Sequence, residues 1–111
     1  MPAVTEADVR RLYDRFRKKY FADAHMPDWG EFDFRWTRSR KHSAFVDVGP
    51  KSAEVRFLEL NQRNAWSQRA VAADLLHEMT HMQGDPFLSH GEAFWSEIER
   101  LHRLGAAKEY F

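Results

Sequence analysis

Near its start the chain repeats apolar residues every three to four positions. Val9, Leu12, Tyr13, Phe16 and Tyr20 fall on one side of a helix, with Arg15, Arg17 and Lys18 opposite. Thr5-Glu-Ala-Asp8 supplies a helix start, a hydroxyl followed three positions later by a carboxylate. Met26-Pro27-Asp28 and Trp29-Gly30 break the pattern, and the period then changes to two. Phe32, Phe34 and Trp36 alternate with Asp33 and Arg35, which predicts a strand. Ala44, Val46 and Val48 around Phe45 and Asp47 predict a second, ended by Gly49-Pro50. Val55 and Phe57 open a third, but Leu58 and Leu60 have the opposite parity. Either a bulge shifts the register there or both faces are covered.

After Asn61 the helical period returns. Val71, Leu75, Met79 and Met82 form one row, Ala72 and Leu76 a neighbouring one, and Gly84 reads as the terminating glycine. Asp85-Pro86 turns the chain. Ser89-His-Gly-Glu92 is a second capping-box match, and Phe94, Trp95, Ile98, Leu101 and Leu104 mark the stripe of a last helix. The expected fold is therefore α+β: an N-terminal helix, a three-stranded antiparallel sheet, then two helices. No repeat or linker interrupts the order, so residues 1–111 read as one domain.

Composition narrows the chemistry. Seventeen basic and seventeen acidic residues cancel, which argues against a strong whole-molecule pull on nucleic acid or anionic membrane. There is no cysteine, so disulfides, Cys-rich zinc ribbons and thiol catalysis are excluded and any metal must be held by His, Asp or Glu. Neither a signal peptide nor a membrane span is visible, and a cytoplasmic, intracellular location is the expectation.

His77-Glu78-Met79-Thr80-His81 lies inside the second predicted helix. Helical residues four apart sit one turn above each other, with Cβ atoms about 6 Å apart, so His77 and His81 can converge on one ion. Glu78, turned about 100° from His77, can reach water at that ion without ligating it. Shuffling six histidines and nine glutamates yields H-E-x-x-H in roughly one sequence in forty, so the motif alone is moderate evidence. His90 strengthens it, standing beyond a turn at the expected opening of a helix whose dipole disfavours imidazolium. Three imidazoles leave a fourth tetrahedral position open, which marks catalytic rather than structural zinc. The expected site is one Zn2+ per chain on His77, His81 and His90, with Glu78 as general base.

These residues also resemble a known family. His77-Glu-Met-Thr-His81 followed by Ser89-His90-Gly91-Glu-Ala-Phe94-Trp95 is similar to the signature of the SprT-like (Spartan-related) zinc metallopeptidases, H-E-x-x-H then H-G-x-x-F/W. Leu12-Tyr13 through Tyr20-Phe21, the Met26-Pro27 break and Trp36 resemble that family's first helix and strand, so the likeness runs from about Val9 to Leu104. It implies a zincin-like fold and a zinc endopeptidase acting on protein substrates, DNA-associated or DNA-crosslinked proteins among them. It also implies that the third strand, Val55 to Leu60, is an exposed sheet edge beside the metal. The family's zinc ribbon needs cysteines, which are missing here, so DNA is expected to be a weak partner at most. The rival reading is a non-catalytic adaptor domain whose zinc staples the fold.

Lesser candidates complete the reading. Asp74 and Asp85 are candidates for orienting a ligand histidine, although solvated carboxylates are commoner. His102 and Tyr110 are candidates for stabilising an oxyanion. His25 and His42 read as surface residues. Arg38, Arg40, Lys41 and His42 cluster in the turn between the first two strands; phosphate contact is one reading, but a solvated turn is the usual meaning of such a cluster and the expected one. Tyr13, Phe16, Tyr20, Phe94 and Trp95 read as core.

Overall fold

The computed structural model describes residues 3–41, 44–49 and 54–106. Its α-helices are α1 (Glu6–Tyr20), α2 (Gln68–His81) and α3 (Glu92–Arg103). Its strands are β1 (Asp33–Thr37), β2 (Ala44–Val48) and β3 (Val55–Asn61). Short 3-10 turns occupy Trp29–Glu31 and Gln62–Asn64. The fold is α+β.

The α1 start follows its sequence signature. Thr5 accepts from the Asp8 backbone N–H at 3.2 Å, and the Asp8 carboxylate accepts from the Thr5 backbone N–H at 2.9 Å. The five stripe residues, Val9 to Tyr20, are all buried. Tyr13 donates its hydroxyl proton to the Pro27 carbonyl at 2.6 Å, which pins the Met26-Pro27 break onto the helix.

The sheet departs from expectation. Its order is β1-β3-β2, with β1 and β3 parallel and β2 and β3 antiparallel, so it is mixed rather than antiparallel. Between Thr37 and Ala44 lie six residues, longer than a tight hairpin turn. That length carries the chain across two strand spacings, about 10 Å, and leaves room for β3 in between. β2 instead forms its hairpin with β3, closed by the Gly49 N–H on the Glu54 carbonyl at 2.7 Å. The parity conflict in β3 resolves as a bulge. Val48 pairs with Val55 but Asp47 pairs with Phe57, so Arg56 is the extra residue. Its guanidinium grips Asp47 through two bonds of 2.8 and 2.9 Å.

One sheet face packs on α2, which also meets α1 and α3. A helix covered on several sides needs apolar residues around much of its circumference. Val71, Ala72, Leu75, Leu76 and Met79 meet that need, and Met82 continues the row. α3 buries only Phe94, Ile98 and Leu101. Trp95 (57 % exposed) and Leu104 (50 %) face solvent, so Trp95 is not core. The capping box expected at Ser89 does not form either: Gly91 is the N-cap, with no side-chain cap bond, and α3 begins at Glu92. No helix among the described residues is long and apolar enough to cross a membrane.

Candidate metal centre

The last two turns of α2 present His77 and His81 one above the other, ring centroids 5.0 Å apart. Gly84, at φ 77°, takes the left-handed conformation that ends a helix, and the Phe87 N–H bonds the Gly84 carbonyl at 2.7 Å. This turn doubles the chain back, so that His90 arrives from the loop just before α3. His90 therefore stands outside the helix, and loop geometry rather than the α3 dipole places it.

The three rings meet at their Nε2 atoms. His90 Nε2 lies 3.1 Å from both His77 Nε2 and His81 Nε2. Tetrahedral bonds of about 2.0–2.1 Å to one zinc would separate ligand nitrogens by about 3.3 Å, so the spacing fits. The three side chains are close enough to hold a metal ion. His81 Nδ1 lies 2.8 Å from the Phe87 carbonyl, which can only accept, so the proton sits on Nδ1 and Nε2 keeps its lone pair. Beneath the cluster the fully buried Phe94 ring touches all three imidazoles. It stacks on His81 at 4.7 Å and meets His77 and His90 at 4.9 and 4.8 Å.

Electrostatics favour neutral ligands. Burial, reinforced by His81 and His90, lowers His77 to about 4. Burial also lowers His81, against the Phe87 hydrogen bond. Glu78 is only 6 % exposed, and burial, with Asp74 adding repulsion, raises its carboxyl to about 8. A dication at the histidines would draw that value back down.

Glu78 and the three histidines line one cavity of about 460 Å³ together with β2, Leu88 and Ser89. The strand beside the cluster is thus β2, a sheet edge. β3 lies in the middle of the sheet, contrary to expectation.

The remaining candidates lie elsewhere. Asp74 accepts from Asn64 Nδ2 at 2.9 Å, and Asp85 is exposed; it is the Phe87 carbonyl that orients His81. His102 is exposed and does not line the cavity, and His25 is also exposed. His42 and Tyr110 lie outside the described residues. Sequence reasoning missed the Phe87 carbonyl, the Phe94 ring as a floor, and β2 as a wall. Only Phe94 carried a signal, its place four residues after His90. Comparisons with family models, curated proteins and solved structures find no match.

Proposed function

We propose that this chain is a zinc-dependent endopeptidase of the SprT-like, zincin-like kind, with His77, His81 and His90 as ligands and Glu78 as general base. The observation that carries the reading is His90 Nε2 standing 3.1 Å from Nε2 of both His77 and His81, in a cavity shared with a buried carboxylate. A purely structural site has no use for that carboxylate. Zinc bound there supplies Lewis acidity towards a substrate carbonyl and acidifies water. Glu78 takes the proton of the attacking water as its oxygen bonds the carbonyl carbon, then hands it to the leaving nitrogen as the C–N bond breaks. β2 offers an extended peptide a main-chain edge beside the cluster, and such pairing is indifferent to side chains. Unfolded protein segments are the substrate class this favours.

Glu78→Gln tests the reading. It should keep its zinc and its melting temperature while losing activity on an unfolded protein by at least about 10². Equal turnover by both proteins overturns the mechanism, and zinc-loaded protein without any activity favours the adaptor.

A further inference from the structure

A second site emerges from charge segregation. Between Asp33 and Asp47, and again between Glu59 and Asp74, the sequence has no carboxylate, yet the two stretches carry Arg35, Arg38, Arg40, Lys41, Arg63 and Arg69. Arg35 is paired with Glu59 at 3.6 Å, and the fold brings Arg38, Arg40 and Arg63 to one depression. Parallel pairing sets Thr37 beside Asn61, so β1 and β3 end together and the segments that follow them start side by side.

Hydrogen bonds fasten the two segments to each other. Asn61 Nδ2 and Arg63 Nη2 both donate to the Ser39 carbonyl, at 2.7 and 3.3 Å. Arg38 Nε donates to Gln62 Oε1 at 2.8 Å. Arg38, Arg40, Gln62 and Arg63 line the resulting open depression of about 380 Å³. Among the described residues no carboxylate pairs with any of these three arginines.

We propose that Arg38, Arg40 and Arg63 bind a phosphate-bearing anion. Three guanidiniums around one depression repel each other, and a multiply charged ligand relieves that repulsion. A carboxylate brings one charge and two oxygens. A phosphate group brings more oxygens and up to about two charges, which suits several guanidinium forks at once. Two of the three arginines are already fastened, so less side-chain freedom is lost on binding. The phosphate comes either from a small phosphomonoester or from a phosphodiester strand.

Calorimetric titration of the full chain with inorganic phosphate, and separately with a short oligothymidylate, tests the site at low ionic strength. Arg40→Glu is the main variant, because the Arg40 side chain is exposed and its replacement leaves the Ser39 and Gln62 bonds intact. It should weaken binding by at least about tenfold with an unchanged melting curve, and Arg40→Lys by less. Phosphate held on a metal at the histidines would ignore this substitution. Oligothymidylate binding at least tenfold tighter than phosphate, with a log–log salt slope near −2 for three contacts, identifies a phosphodiester source; comparable affinities identify a monoester. The proposal is overturned if neither probe binds, or if Arg40→Glu binds both as the unmodified chain does.

Discussion

Burial shifts the proton affinities of His77 and Glu78 in opposite directions; the affected pH ranges overlap between 4.5 and 6.5, and above 6.5 the Glu78 shift is the one of the two that still acts. For His77, lowered to about 4, neither folded nor unfolded chain holds the proton above its ordinary 6.5. Below that, the unfolded chain binds a proton that the folded one refuses, and stability falls. For Glu78, raised to about 8, both states are protonated below the ordinary 4.5. As pH rises towards 8 the unfolded chain ionises first, so the folded state again loses ground. Metal-free protein should therefore melt lower at about pH 8 than at about pH 6.5, and Glu78→Gln should remove that drop. Thermal melts in chelator at the two pH values check it; an equal drop in both proteins would refute the assignment to Glu78. Phe94 acts at the same scale. Phe94→Leu keeps an apolar side chain, at a stability cost on the order of 1–2 kcal/mol, but removes the ring under the imidazoles. Zinc affinity, read by competition with a chelating dye, should fall by about tenfold or more, as when other supports of metal ligands are lost. Unchanged affinity would reduce Phe94 to ordinary core.

At the scale of elements, β2 is the strand on which the proposed holding of a peptide beside the histidines depends. Main-chain N–H groups of neighbouring strand residues point in opposite directions, so of Phe45 and Val46 one donates towards β3 and the other outward. Proline at the inward position should unfold the hairpin. At the outward one it should leave fold and zinc intact and cut cleavage of an unfolded protein by about tenfold or more. A folded, zinc-loaded proline variant at either position with full activity would remove β2 from substrate binding. Elements also show what a sequence can tell. Periodicity reports which face of a segment is buried, so the α1 stripe, the α2 rows and all three strands were legible. It does not report partners, so the parallel pairing of β1 with β3 and the central place of β3 were not. The Ser89 capping pattern misled because a nearby hydroxyl and carboxylate do not fix where the helix begins. The closeness of His77 to His81 was legible because i, i+4 spacing on a helix is itself geometry. The Phe87 carbonyl was not, since every residue has one and only the turn at Gly84 aims it.

For the molecule as a whole the question is whether the metal holds the fold or works within it. The buried apolar core runs from Val9 through Leu58, Leu60 and Leu75 to Phe94 and Leu101, joining α1, the sheet, α2 and α3, while His77, His81 and His90 lie at its margin, partly buried or exposed, against Phe94. A domain whose metal is its only staple has no such core and unfolds when the ion is removed. Here the ion would tie the end of α2 to the loop before α3, a local link on a frame that closes without it. Chelated protein should therefore keep a cooperative melt and its helical circular dichroism. Free zinc at about 1,000 times its dissociation constant adds about 4 kcal/mol, which for a chain of this size raises the melting temperature by roughly 15–20 °C. Limited proteolysis localises the effect: with chelator present the first cuts should fall between Met82 and Gly91, and zinc should suppress them. Loss of the cooperative melt on chelation, or first cuts scattered over α1 and the sheet, would make the ion a structural staple and revive the adaptor reading.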